Sequence, residues 1–470
     1  MIRRFISIAV LALVHGASAA APVATTCHLP GSEEALRCLN VAVKLDASAK
    51  QLALHVTVAP AFREAARSDP LFVIAGGPGQ AGSDVLFTLN SAFRRVRATR
   101  DIVFIDQRGT GLSGKLDCEV KPEHETMSDD QLDAAMQACI ARIKQPFAAY
   151  TTAAAARDIE QVRLALGYGK INVWGGSYGT RLAQVYARAF PASVRAIVLD
   201  GVAAPDQVIP AGGRDAQAAL QKLFDQCAAD KACNKAYSAL RSEFTALTDK
   251  VAGGKVAIDL LDPRTAQPAH VEMSSARFLG TVHGILYSPI DSRRLPFLIH
   301  SASQGHWEPF IARRNAGNDY AVEGGLAIVM HLAVTCAEDF PRLTPALLAE
   351  DAGDSSMVSQ MLSRTGKMCA TLNVPAVPYV APARIEAPVL LLSGAMDPVT
   401  PPRRAETAAK YIAHAQHFVV ANAGHGISTL GCAPRLLREF LDQPTASLAA
   451  ACLKDIPAPT FQLSAAGPQP

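Results

Sequence analysis

Short apolar runs separated by amphipathic stretches set the rhythm of the N-terminal half of this chain. Residues 39–45 and 51–58 alternate apolar and polar positions, which predicts two strands. Leu71-Phe72-Val73-Ile74-Ala75 is unbroken apolar sequence, as expected of a strand covered on both faces, and residues 101–105 read the same way. Residues 152–166 place Ile159, Val162 and Leu166 on one helical face. Gly167 and Gly169 break that helix. Ile171-Asn172-Val173-Trp174 then predicts a strand running through a glycine-rich turn into a helix over residues 178–190, which Pro191 closes. Residues 196–199 add a further strand. Strands alternating with helices imply a parallel sheet with right-handed crossovers.

The rhythm breaks after Pro205. Residues 206–380 are richer in helical stretches, including 216–227 and 236–251, and read as a unit inserted into an α/β core. The rhythm resumes with a buried strand over 388–393, a helix over 404–414, a strand over 417–420 and a helix over 434–441. The predicted organisation is a signal peptide at 1–20, core at 21–205, an inserted cap at 206–380, core again at 381–457 and a loose tail at 458–470.

Composition adds the compartment. The 470 residues are 49% hydrophobic and 19% charged, which is globular and long enough for a core plus an insertion. Arg3 and Arg4 precede a short apolar run over residues 5–14 and the small residues Ala17-Ser18-Ala19, the layout of a cleavable export signal. The mature chain is therefore expected in the periplasm or outside the cell, without stable membrane association. Losing the two signal arginines lowers a net charge of +3 to about +1, which gives no case for nucleic acid binding. All ten cysteines lie beyond the signal. Their even number in an exported chain favours disulfides, and no CxxC pair or Cys/His cluster suggests a metal. Sequence does not fix connectivity, but nearest-neighbour pairing is expected: Cys27 with Cys38, Cys118 with Cys139, Cys227 with Cys233, Cys336 with Cys369, and Cys432 with Cys452.

Gly175-x-Ser177-x-Gly179 has the spacing of a nucleophile elbow, in which serine sits at the tip of a strained strand-to-helix turn. A serine hydroxyl needs a base to take its proton and a carboxylate to orient that base. Asp397 follows one late strand and His425, between glycines, follows the next, so nucleophile, acid and histidine occur in that order. Asp200, also at a strand end, is the alternative acid. His15 falls in the signal, His283, His300, His306 and His331 in the insertion, and His414 and His417 at element ends, and these read as surface or packed groups. An oxyanion needs preorganised N–H donors. The amide of Tyr178, at a helix N-terminus, is one candidate. Gly77, in the loop Gly76-Gly77-Pro78-Gly79 after the first buried strand, is the other. Asp106 and Arg108 read as an ion pair bracing a neighbouring loop.

Gly76-Gly77-Pro78-Gly79, Asp106-Gln107-Arg108-Gly109-Thr110-Gly111-Leu112-Ser113 and Gly175-Gly176-Ser177-Tyr178-Gly179-Thr180 together resemble the proline iminopeptidase and tripeptidyl aminopeptidase branch of serine hydrolases. The stretch from Leu391 to Pro398, followed by Gly424-His425-Gly426, is similar to that family's C-terminal segment. The resemblance spans roughly residues 36–455. It implies an α/β-hydrolase fold, a mostly parallel sheet flanked by helices, with an inserted, mainly helical cap. It also implies an exopeptidase with Ser177, Asp397 and His425 as triad and Gly77 and Tyr178 as oxyanion donors. Ala75 stands where the iminopeptidases often carry histidine, which favours the tripeptidyl-like branch.

An aminopeptidase must recognise a free α-ammonium group with carboxylates. Cys336-Ala337-Glu338-Asp339 is the expected source, Glu338 first and Asp339 second. The resulting expectation is a monomeric, cofactor-free serine aminopeptidase acting on peptides with free N-termini. The alternative is a serine esterase or lipase-like hydrolase using the same triad.

Overall fold

A computed structural model describes residues 22–30, 32–119, 121, 124, 126–254, 256–262, 265–318, 325–352 and 359–467. The expected signal peptide lies outside the described residues. Eleven strands occur among them: β1 (Thr25–Cys27), β2 (Leu36–Lys44), β3 (Gln51–Ala59), β4 (Leu71–Ile74), β5 (Ile102–Ile105), β6 (Ile171–Gly176), β7 (Val194–Asp200), β8 (Val256–Leu261), β9 (Pro268–Met273), β10 (Val389–Gly394) and β11 (Ala415–Val420). Nine form one sheet in the order β1-β2-β3-β5-β4-β6-β7-β10-β11. β1 to β3 run antiparallel, and β3 pairs antiparallel with β5. Every pairing from β5 through β11 is parallel.

Period-two geometry explains why these strands had to be covered twice. Phe72 and Ile74 of β4 join one core cluster, while Leu71 and Val73 join another on the opposite face. Trp174, Val198 and Leu392 divide from Val173, Leu199 and Leu391 in the same way. A sheet buried on both faces needs helices on both, and the helix Thr152–Ala165 with its neighbour Tyr178–Ala189 supplies part of one layer.

β7 and β10 are neighbours in the sheet, so everything between them is an insertion that leaves the carboxyl end of β7. Its first part carries its own core, including Leu220, Phe244, Met273, Phe278, Leu298 and Phe310. Its later part does not. Val329, Met330, Leu332, Val334 and Met368 belong to the cluster of the main sheet.

Several local expectations change. The insertion is mainly helical, as expected, and also holds an antiparallel hairpin, β8–β9. The expected helix over 236–251 starts later, as Leu240–Ala252, because a separate helix, Lys231–Ala236, capped by Asp230 and tethered by Cys227–Cys233, ends before it. The helix expected over 404–414 stops at Ala409, because Ile412 bridges to Ile385 instead. The expected loose tail is held over its described residues, 458–467. Phe461 is buried in the insertion's core with the Arg293 guanidinium 4.3 Å above its ring, and Tyr237 donates to the Gln462 carbonyl at 3.0 Å. The five disulfides join Cys27–Cys38, Cys118–Cys139, Cys227–Cys233, Cys336–Cys369 and Cys432–Cys452.

Candidate active site

The loops after β4, β5, β6, β7, β10 and β11 leave the carboxyl ends of parallel strands, where open α/β sheets place their ligand crevice. Ser177 follows β6 directly. Its backbone sits at φ 55° and ψ −126°, a conformation an L-residue occupies only under constraint. The flanking glycines allow it: a side chain at Gly175 would press into the Gly179 carbonyl, and one at Gly179 into the Ile74 carbonyl. The Ser177 amide donates to the Asp200 carbonyl at 2.9 Å, and Thr180 N–H and Oγ bond the Ser177 carbonyl at 2.9 and 2.6 Å.

Asp397 and His425 meet. Asp397 Oδ2 lies 2.8 Å from His425 Nδ1, while Oδ1 accepts the amides of Val399 and Thr400, each at 2.9 Å. Thr400 Oγ1 donates to Asp397 Oδ2 at 2.7 Å and lies 3.1 Å from His425 Nδ1. Burial opposes charge on both members of the pair. On Asp397 the charge and hydrogen bond of His425 and the two amides outweigh it, and its pKa is lowered. On His425 the carboxylates of Asp397 and Asp200 outweigh it, and its pKa is raised. No hydrogen bond joins Ser177 Oγ to His425 Nε2 among the described residues, but both side chains line one cavity.

Asp200 faces another way. Its carboxylate accepts the amides of Ile427 at 2.8 Å and of Ser428 at 2.8 Å, so it holds the loop that carries His425 rather than the imidazole. One residue thus ties the serine amide, through its carbonyl, to the histidine loop, through its side chain. Trp174 reinforces the same link by donating to Ser428 Oγ at 2.9 Å.

The loop after β4 approaches the serine closely. A Cβ at Gly76 would come within 2.9 Å of Ser177 Cβ. Gly77 adopts φ 103°, which favours glycine, and among the described residues neither its amide nor that of Tyr178 donates to a protein acceptor. The loop is fixed from the insertion: His331 Nδ1 donates to the Pro78 carbonyl at 3.1 Å, and the Ala327 amide donates to the Gly79 carbonyl at 2.9 Å. A carbonyl only accepts, so His331 carries its proton on Nδ1 there.

Three expectations need correction. Asp106 and Arg108 do not pair with each other. Arg108 makes a two-pronged bond to Asp158, at 2.7 Å on each prong, whereas Asp106 accepts Ser83 N–H at 2.8 Å and the Leu112 amide at 2.9 Å. The fork of the guanidinium suits a whole carboxylate, and the tight loop needs Asp106 for its own amides. Glu338 does not line the cavity: it accepts the amide and the hydroxyl of Thr152, each at 2.6 Å. Thr152 in turn meets Tyr178 Oη at 2.8 Å, so Glu338 caps one helix and braces the residue after the serine. Asp339 is fully buried and ion-paired with Arg181 at 3.0 Å, on the helix that begins at the elbow. Both acidic groups are committed to holding that helix because a wide π turn over Thr335–Asp339 points them inward.

Some neighbours had no sequence signal. Tyr287 stacks edge-on against His425, with ring centroids 5.1 Å apart, and its carbonyl accepts the His425 amide at 2.9 Å. His283 lines the cavity, and burial lowers its pKa to about 4. Thr400 was readable: an Asp with Thr three residues on is a common side-chain-to-backbone turn. The cavity holds about 2020 Å³, beyond the roughly 300–1,000 Å³ of ordinary small-molecule sites. Gly76, Gly77, Ser177, Asp200 and His425 line it from the core, and Leu279, His283 and Tyr287 from the insertion.

Residues 69–429 match the α/β hydrolase fold family, and the chain belongs to it. Within that class it is 26% identical over 376 residues to a protein named serine protease Hip1 of Mycobacterium tuberculosis, covering 70% of each chain. It is 30% identical over 196 residues to a tripeptidyl aminopeptidase of Streptomyces coelicolor, covering 37% of this chain and 36% of that one. A proline iminopeptidase of Neisseria gonorrhoeae is 33% identical over 135 residues, covering 28% of this chain and 32% of its own.

Proposed function

We propose that this protein is an exported serine aminopeptidase. The observation that carries the reading is the Asp397–His425 contact of 2.8 Å, set on strand-end loops beside the strained elbow of Ser177. In this reading Ser177 Oγ attacks the carbonyl carbon of a peptide bond near a free N-terminus, and His425 Nε2 takes the hydroxyl proton. Asp397 holds Nδ1–H and stabilises the imidazolium. The amides of Gly77 and Tyr178 receive the oxyanion. His425 then returns the proton to the leaving amine, and the remaining acyl-enzyme is hydrolysed by water activated by the same histidine. None of these steps calls on a cofactor.

The volume of the cavity supports a peptide rather than a small ester, and the relatives named as peptidases support the same class. The insertion over residues 206–380 acts as the cap that roofs the site. The N-terminal segment directs export and is removed, and the five disulfides fit an oxidising compartment. Among the described residues no helix is long and apolar enough to cross a membrane. The enzyme acts as a monomer.

The test is hydrolysis of peptide p-nitroanilides of one to three residues, with free and acetylated N-termini, beside p-nitrophenyl esters. Faster cleavage of the free-amine peptides is expected. Equal rates on free and acetylated peptides would contradict the aminopeptidase reading, and ester turnover without peptide turnover would favour a serine esterase.

A further inference from the structure

With Glu338 and Asp339 committed to the elbow helix, the carboxylate that an aminopeptidase needs must come from elsewhere. Four carboxylates line the cavity among the described residues: Asp84, Glu119, Asp133 and Asp200. Asp133 is already paired with Arg364 at 2.8 Å and Lys367 at 2.9 Å. Asp200 is filled by two loop amides. Glu119 is exposed to bulk water, where a carboxylate contributes little binding. Asp84 is left. It is half-buried, accepts one backbone amide, that of Ala81 at 3.0 Å, and forms no ion pair among the described residues.

Its surroundings carry a second signal. Phe87 and Leu112 line the same cavity and are 65% and 62% exposed, so both offer apolar surface to a molecule that enters it. Phe87 follows Asp84 by three residues, and Leu112 is tied through Asp106 to Ser83, the residue before Asp84. Leu86 and Phe87 keep helical backbone angles after the turn Ser83–Val85, so Asp84 and Phe87, three apart, share a face. Asp106 holds Ser83 Oγ at 3.0 Å and the Leu112 amide at 2.9 Å with one carboxylate, which sets Leu112 against the start of the same turn. The turn continues directly from the glycine loop that touches Ser177.

We propose that Asp84, Phe87 and Leu112 form the subsite for the N-terminal residue of the substrate peptide. Asp84 pairs with the free α-ammonium group, and Phe87 and Leu112 cover an apolar side chain. The inference rests on the aminopeptidase reading and gives it a substrate class: peptides with an unblocked, apolar first residue. The electrostatics agree. Burial pushes the Asp84 carboxyl up to about 6, Asp106 adds to this, and the Ala81 amide and Lys115 oppose it only in part. Lys115 is itself paired with Asp117 at 3.0 Å, so a cation from the substrate has a carboxylate to satisfy.

The test compares kcat/KM on free and acetylated tripeptide p-nitroanilides in the wild type and in Asp84→Asn, which retains an acceptor for the Ala81 amide. Each protein's free-to-acetylated ratio is its own control, so a general loss of activity cannot imitate the effect. A wild-type preference for free amines that falls about tenfold or more in Asp84→Asn supports the assignment. A preference that survives in Asp84→Asn overturns the role of Asp84 while leaving the aminopeptidase reading intact. A wild type without any preference overturns both. In the same assay, the Phe87→Ala/Leu112→Ala double variant should lose about fivefold or more of the wild type's preference for leucine over serine as first residue. An unchanged ratio would remove the apolar half of the subsite.

Discussion

Residues 213–311 and 328–372 belong to one insertion, yet they pack in opposite ways. The first stretch has a core of its own, around Phe244, Phe278 and Phe310. The second sinks Val329, Met330, Leu332 and Val334 into the core of the main sheet and locks its π turn to the Ser359–Leu372 helix through Cys336–Cys369. The consequence is a division of labour. Residues 275–287 lie across the site and line its cavity, Tyr287 and His283 among them. Residues 326–339 act from behind: they pin the glycine loop at Pro78 and Gly79 and grip the elbow helix through Glu338 and Asp339. An acidic pair in an inserted segment can therefore brace the helix that begins at Ser177 without lining the cavity.

The largest effect expected is at the acid. Asp397→Asn should lower kcat by about 10⁴-fold. It should also move the acid limb of the pH profile. His425 acts as base only when neutral, and the negative charge of Asp397 raises its pKa, so wild-type kcat/KM should fall on the acid side with a midpoint above about 6.5. Removing that charge should carry the midpoint downward; a profile unmoved in the variant would count against the pairing. Asp200→Asn, which keeps one acceptor oxygen but sets an NH2 donor among the Ile427 and Ser428 amides and leaves the imidazole its partner, should cost only about ten- to a hundredfold. A larger loss at Asp200 than at Asp397 would reverse the assignment.

Next come two variants that set the halves of the insertion against each other. Asp339→Asn leaves Arg181 as an uncompensated buried charge and should destabilise the fold by about 3–5 kcal/mol in denaturant titration, with kcat falling as well. Phe278→Ala should cost about 3–5 kcal/mol through a cavity in the insertion's own core, without touching the elbow. If Phe278→Ala lowered kcat on a small ester as much as Asp339→Asn, the two stretches would not be separate in function. The smallest effect is expected at Glu338→Gln: kcat about tenfold lower through a looser Thr152–Tyr178 contact, with the free-to-acetylated ratio unchanged. A collapse of that ratio would restore Glu338 as the amine clamp.

The sequence was most informative where one local rule dominates. Unbroken apolar runs marked β4, β5 and β10, because a strand covered on both faces has no polar side to show. Gly175 and Gly179 marked the elbow, because backbone from neighbouring elements leaves no room for a Cβ there. Asp397 and His425 were legible through their order behind Ser177. The amine clamp was misread because its logic was compositional: two adjacent acids after an apolar run look alike whether they face a cavity or an arginine behind it. Nothing local in the sequence foretells that Arg181, 158 positions earlier, would take Asp339. Asp106 and Arg108 failed for the same reason, since Asp158 lies 50 positions beyond the arginine. The hairpin β8–β9 and the anchored Phe461 depend on packing within the insertion, which periodicity does not reveal.

The central claim is that Ser177 is the nucleophile of an Asp397–His425 relay. Its most direct test is peptide mapping by mass spectrometry after treatment with a fluorophosphonate, which phosphonylates activated serines. The account predicts one adduct, on Ser177, formed in step with loss of peptidase activity and greatly slowed in His425→Ala. An adduct on another serine, or full peptidase activity in a protein labelled at Ser177, would contradict it.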